Sequence, residues 1–174
     1  MAYYDIVESP LGPVLIGGSV AGLHRIEFLR DGLDEERCLA LLERDAGEPP
    51  VRDATAAAEA ARQLEAYWRG ERERFDLPLA PRGTAFQHTV WSALQEIGPG
   101  ETQSYGSVAR RLGKPTASRC VGGAIGRNPL AVVVPCHRVM GARGALTGYA
   151  AGVERKRWLL DHEARALVPA PVEA

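Results

Sequence analysis

The segment Val132-Val133-Val134-Pro135-Cys136-His137-Arg138-Val139 is the part of this chain best suited to covalent chemistry. Cysteine attacks carbon as the thiolate, and a neighbouring imidazole or polar network favours that form. The valine run predicts a buried strand, and Pro135 predicts a stiff turn that presents Cys136 at its end. Taken alone, Cys136 reads more readily as a small residue filling the end of a core strand, where most free cysteines lie.

A second stretch bears on what the thiol could meet. Residues 116–126 read as a helix whose inward stripe is Ala117, Cys120, Val121, Ala124 and Ile125, spaced i, i+3, i+4, i+7 and i+8. Cys120 is therefore expected in the core. The opposite face holds Arg119, Gly122, Gly123 and Gly126. Each interior glycine costs about 1 kcal/mol relative to alanine, so a row of them calls for a reason. It suits close approach to a nucleic-acid groove with one cation projecting, or equally close packing against another protein element. Arg127-Asn128-Pro129 stops the helix, because asparagine tolerates the left-handed conformation and proline blocks continuation. Few residues separate this stop from Cys136, so the helix and the thiol should be neighbours.

Charge separates the two halves. Residues 101–174 carry eleven Lys or Arg against five Asp or Glu, whereas residues 1–100 carry ten against seventeen. A basic C-terminal half suggests that this half meets a polyanion, though charge alone fits a chance split over a solvated surface equally well. The cysteines Cys38, Cys120 and Cys136 are odd in number and widely spaced. That pattern favours a reducing, cytoplasmic setting over a disulfide framework. The histidines show no metal-ligand spacing, so no metal site is expected. No apolar run approaches the roughly 20 residues that cross a bilayer, and no secretion signal opens the chain.

The elements that must position these residues divide at Pro78-Leu79-Ala80-Pro81-Arg82-Gly83, a Pro/Gly-rich link. Domains are expected at 1–80 and 84–174. The first reads as strands at 3–7, 14–18 and 23–29, a helix at 34–44 with Cys38 as core filler, and a helix at 54–69 stopped by Gly70. It shows no chemical constellation and reads as a scaffold. The second opens at Thr84, an N-cap completed by Gln87 as a capping box, before the stripe Phe86, Val90, Trp91, Leu94 and Ile97. Ser104 caps the next helix, which Gly113 closes. With the helix at 116–126 this makes a helix-turn-helix.

These blocks together resemble the O6-alkylguanine-DNA alkyltransferase family, the methylated-DNA–protein-cysteine methyltransferases. The resemblance rests on Pro135-Cys136-His137-Arg138-Val139, Ser104-Tyr105-Gly106, Arg119 with Val121-Gly122-Gly123-Ala124, and Arg127-Asn128-Pro129. Thr147-Gly148-Tyr149, Trp158-Leu159-Leu160 and His162-Glu163 complete it. It is close over about residues 84–166 and loose before them.

The resemblance implies that Cys136 accepts the alkyl group, with His137 and Glu163 supporting its thiolate through a water. It implies that Tyr105 gives a proton to the departing guanine, that Tyr149 and Ala150 line the base pocket, and that backbone groups of Cys136 and Val139 read the guanine edge. Asn128 becomes the hinge to the active-site turn. Arg119 becomes the residue that fills the space left by a flipped base, on a helix whose Gly122 and Gly123 face the DNA minor groove. Ala151 stands where glycine is frequent in the family, which bears on tolerance of bulky alkyl groups.

The expectation is thus an α+β protein: an N-terminal ribonuclease-H-like sheet-and-helix domain, then a helical C-terminal domain with a winged-helix-like helix-turn-helix. Its expected activity is irreversible, stoichiometric dealkylation of O6-alkylguanine in double-stranded DNA, as a monomer, with no cofactor and no membrane. The competing expectations are a non-catalytic lesion-sensing DNA-binding protein and a cysteine hydrolase.

Overall fold

The computed structural model describes residues 1–166; the end of the expected C-terminal domain, 167–174, lies outside the described residues. The chain divides into two compact units. One comprises 1–83 together with 129–133, and the other comprises 84–128 and the chain from 134 onward.

The first unit is an α+β layer. Strands β1 (Tyr3–Val7), β2 (Val14–Ser19) and β3 (Gly22–Phe28) form an antiparallel meander. Helix α1 (Gly32–Ala46) leads to a two-residue strand β4 (Val51–Arg52), which pairs parallel to β1. Helix α2 (Ala54–Trp68) follows, and the sheet order is β3-β2-β1-β4. The sequence signals explain these limits. Asp31 caps α1 by accepting from Asp34 N, and Gly47, at φ 81°, ends it. Asp53 caps α2 by accepting from Thr55 N and Ala56 N. Such caps are worth about 1 kcal/mol each.

Gly17 is the glycine that this packing requires: a Cβ there would lie 2.4 Å from Leu42 Cδ2, so α1 sits directly on β2. Cys38 is fully buried beside Leu15 and Leu29, the core position expected of it. Its thiol donates to Glu27 Oε2 at 3.1 Å. The Pro/Gly-rich link is tied down: Leu23 N–H donates to Pro78 O and Ala80 N–H to Leu23 O, both at 2.8 Å. His24 reaches Ala80 O through Nδ1 at 2.7 Å.

The valine run corrects an expectation. Residues 132–134 form no strand. Val133 N–H donates to Ala131 O at 2.8 Å, so Val132 centres a γ-turn, with φ at 71°. A positive φ is sterically costly for a β-branched residue. Leu130 instead bridges Ile26 of β3, through Ile26 N–H to Pro129 O at 2.8 Å and Ala131 N–H to Ile26 O at 3.0 Å.

The second unit is mainly helical: α3 (Ala85–Gln95), a short strand β5 (Gln103–Ser104), α4 (Tyr105–Arg111) and α5 (Ser118–Gly126). A short parallel strand β6 (Val139–Met140) pairs with β5, and α6 (Val153–Ala166) closes the described chain. The Thr84–Gln87 capping box is formed at both ends. Ser104 Oγ accepts from Ser107 N at 3.0 Å and starts α4. Trp91 of α3 is buried and donates its indole N–H to Ala124 O of α5 at 2.9 Å, which fixes the two helices by a satisfied polar contact as well as by packing.

Helix α5 starts later than expected, with Ala117 as its N-cap residue and without a side-chain cap. Its buried residues are Val121, Ala124 and Ile125. Cys120 is exposed, contrary to its expected core position. Cys120 lies in the first turn, well to one side of the face that Val121, Ala124 and Ile125 bury.

Candidate active site

Cys136 opens a single 3-10 turn, Cys136–Arg138. Its own N–H donates to Val134 O at 2.8 Å, which makes Pro135, at φ −82° and ψ 65°, the centre of an inverse γ-turn. Proline fixes that φ without strain. The amide of Asn128 donates to Val134 O at 2.8 Å and holds the approach to the turn.

The thiol is only 9% exposed. Burial pushes its pKa up; hydrogen bonding from Asn128, the Lys156 ammonium and the backbone N–H groups of Cys136 and His137 act in the opposite direction. Burial prevails, and the balance leans toward the protonated thiol.

His137 is fully buried, and its Nε2 lies 2.7 Å from Glu163 Oε1 on α6. Burial holds the imidazole below its ordinary pKa against the raising effect of Glu163. For Glu163, burial alone would raise the pKa, but hydrogen bonds from His137 and Arg138 outweigh it and hold the carboxyl well below the usual range. An ionised carboxylate only accepts, so Nε2 carries the hydrogen and Nδ1 is the basic nitrogen. Nδ1 is buried and finds no partner among the described protein atoms.

Two residues that sequence reasoning passed over complete this centre. Arg138 donates from Nε to Glu163 Oε2 at 2.9 Å and from Nη2 to Oε1 at 2.8 Å. Lys156 is almost fully buried, and its Nζ donates to Val139 O at 2.5 Å and Thr147 O at 3.1 Å. Burial lowers its pKa. Lys156 and Glu163 are seven residues apart on one helix, with buried Leu159 between them. Charged residues at the spacing of an apolar face were the available signal.

Tyr105 begins α4 and donates weakly to Thr147 O at 3.4 Å. Burial, then the nearby Cys136 sulfur, raise its pKa, while the bond to Thr147 lowers it. Gly122 packs over the Tyr105 ring, but an added Cβ would stand 3.6 Å from Cδ1, an ordinary contact. Gly123 and Gly126 are exposed, and a Cβ on Gly126 would meet nothing. The protein's own packing therefore requires none of these three glycines. Arg119, in the first turn of α5, is exposed. Tyr149 is half-buried, and Ala150 is exposed. Val139 is buried; its N–H donates to Cys136 O, and its carbonyl is the one held by Lys156. Each carbonyl keeps a second lone pair for another donor.

Two family models match the chain in order. One, described as the ribonuclease-like domain of 6-O-methylguanine DNA methyltransferase, covers residues 2–81. The DNA binding domain of 6-O-methylguanine DNA methyltransferase covers residues 85–165. The chain belongs to the 6-O-methylguanine DNA methyltransferase family. Among curated members, the methylated-DNA–protein-cysteine methyltransferase of Methanosarcina acetivorans is 48% identical over 161 residues, covering 92% of this chain and 97% of its own. The Mycobacterium tuberculosis protein of the same name is 43% identical over 163 residues, 94% of this chain and 93% of its own.

Solved 6-O-methylguanine methyltransferase structures agree. The M. tuberculosis O6-methylguanine methyltransferase superposes with a TM-score of 0.83 at 42% identity, covering 98% of this chain and 97% of that one. M. tuberculosis OGT in complex with DNA gives 0.82 at 41% identity, covering 94% of each. The mixed fold, an N-terminal sheet-and-helix domain and a C-terminal helical domain, is thus the family's fold. Among the described residues no helix is long and apolar enough to cross a membrane, and no group of three His, Cys, Asp or Glu side chains could hold a metal ion.

Proposed function

We propose that this protein transfers the alkyl group of O6-alkylguanine in double-stranded DNA to Cys136, once per molecule. The observation that carries this reading is the buried Glu163–His137 pair beside Cys136, in a turn reached from α5. The basic Nδ1 of His137 takes the thiol proton, with a water as relay where direct reach is lacking. The sulfur then attacks the alkyl carbon. The S–C bond forms as the C–O6 bond breaks, and guanine leaves with the electron pair. Tyr105 donates a proton to the departing base, and its phenol recovers one from solvent. A thioether does not hydrolyse, so the protein is consumed.

Inside a stacked duplex the alkyl carbon is out of reach, so the base must be extruded at a cost of a few kcal/mol. Helix α5 supplies the means. Its glycines serve no internal packing, which fits close approach of a minor-groove wall, and exposed Arg119 fills the vacated stack. Tyr149 and Ala150 line the pocket, and the spare lone pairs of Cys136 O and Val139 O accept from the exocyclic amine. Every group in this scheme belongs to one unit of one chain, so a single protomer suffices. The free thiols suit the reducing cytoplasm.

The test is intact-mass spectrometry after mixing the protein with a duplex carrying O6-methylguanine. Transfer adds about 14 Da, one methyl replacing one hydrogen at the nucleophile. Cys136→Ser should show no addition. An unchanged mass for the wild type, with the duplex bound, would replace this reading by lesion sensing.

A further inference from the structure

Arg138 spends its whole guanidinium inside the protein. Nε and Nη2 form a two-pronged contact with Glu163, and Nη1 donates to Ile97 O at 2.5 Å. The residue is 5% exposed. Glu163 Oε1 is therefore shared between Arg138 and His137, while Oε2 faces Arg138. This matters for the imidazole. A buried carboxylate facing a histidine alone favours the imidazolium, whose positive charge compensates its own. A carboxylate already neutralised by a guanidinium has no such demand, and a second positive charge would have to sit against the first.

We propose that Arg138 is a positioning residue that sets the protonation state of His137: its fork onto Glu163 keeps the imidazole neutral, with Nε2–H toward Glu163 and Nδ1 free as the base. The charged and titratable groups around His137 are Glu163 and Lys156 from α6 and Cys136 and Arg138 from its own turn. Lys156 acts in the same sense as Arg138, and Glu163 is the one that favours the imidazolium. Glu163 also orients the ring, so its charge is needed. The role of Arg138 is to make that charge compatible with a neutral base. When the Arg138 charge is removed, the Glu163–His137 pair should take up one proton at neutral pH, on either residue.

The use made of the base rests on the alkyl-transfer reading, but the protonation state does not, and the two are tested separately. In the full-length wild type with 15N-labelled histidine, NMR should show His137 at pH 7 as neutral imidazole with the hydrogen on Nε2, assigned against His137→Asn. An imidazolium, or hydrogen on Nδ1, overturns the proposal whether or not the mass assay shows transfer. In Arg138→Met the pair should take up its proton. The acid limb of the rate against O6-benzylguanine should then move up by at least one pH unit, a tenfold loss of rate at a fixed pH on that limb. Arg138→Lys keeps the charge while losing the fork. It should react more slowly at every pH with the limb where the wild type has it. A limb displaced equally in both variants overturns the proposal. If Arg138→Met does not fold, the wild-type spectrum and Arg138→Lys still decide: a displaced limb in the lysine variant is then the overturning result.

Discussion

Tyr105 and Lys156 share one acceptor: the carbonyl of Thr147 receives the phenol O–H at 3.4 Å and the ammonium at 3.1 Å. The same ammonium holds Val139 O at 2.5 Å. One buried cation therefore pins the backbone on either side of the segment that leads to Tyr149, and it fixes the carbonyl on which Tyr105 rests. Lys156→Met keeps most of the side-chain volume but leaves both carbonyls without that donor. The exposed Thr147 keeps Tyr105 as a donor, whereas the buried Val139 carbonyl loses its side-chain donor; an unsatisfied buried polar group costs about 1–3 kcal/mol, offset by no longer burying a charge. The net expectation is a loss of about 1–3 kcal/mol, a fall of roughly 2–12 °C in Tm for a chain of this size. The rate of alkyl transfer should fall at least tenfold, because Tyr105 loses its fixed support. Thermal melts and single-turnover kinetics check both, and an unchanged rate would remove Lys156 from the pocket's support.

Cys120 gives a chemical probe of α5. It is exposed, whereas Cys38 and Cys136 are buried. A bulky maleimide at limiting concentration should label Cys120 first and spare Cys38. Because Cys120 follows Arg119 on the helix assigned to the minor groove, the label should weaken binding to duplex DNA by tenfold or more. Reaction with free O6-benzylguanine should continue within a factor of about 3, the context scatter of single-site effects. Peptide mapping and a gel-shift assay read these outcomes. Equal loss on both substrates would take α5 away from the DNA.

Much of the fold could be read in advance because local chemistry and tertiary packing agree. Thr84 with Gln87, Ser104, Gly113 and Gly70 stand where helices begin or end, and the apolar stripe of α3 is the face that packs. Reading failed where tertiary context overrode propensity. Three successive valines favour a strand, yet a γ-turn at Val132 breaks it. The two-residue strands β4, β5 and β6 are too short for any periodicity to mark them. At the site, motif order located Cys136, His137 and Glu163. It could not show that Arg138 and Lys156 turn inward, because long cations usually point to solvent.

The γ-turn at Val132 makes its own prediction. Val132 is 2% exposed and holds φ at 71°. In ordinary backbone, glycine is less stable than alanine by about 0.5–1 kcal/mol. At positive φ that order reverses, since alanine keeps the Cβ clash and glycine does not. Both Val132→Ala and Val132→Gly lose buried side-chain volume and should be less stable than the wild type. Between them, Val132→Gly should be the more stable, by about 0.5–1 kcal/mol in urea melts. The opposite order would show that the turn relaxes once the valine is gone.

Stability should fall at both ends of the pH scale, for reasons that can be separated. His137 is held below its ordinary pKa in the folded protein. As pH falls through about 6.5 the unfolded chain takes up a proton that the folded chain does not, so stability is lost. Glu163 is also depressed, and its contribution, fully present at neutral pH, drains away below about 4.5. At the alkaline end Cys38 is raised to about 12 by burial and by Glu27. Its contribution is fully present below the unfolded thiol pKa and is lost as pH rises from about 8.5 toward the folded value. Burial displaces Cys136 in the same direction. Denaturant melts from pH 5 to pH 10 should therefore trace a dome. Cys38→Ala should flatten its alkaline side without altering the slope between pH 7 and pH 5, and His137→Asn should flatten the acid side alone. If His137→Asn kept the wild-type slope between pH 7 and pH 5, the buried neutral imidazole would not be the source of acid sensitivity.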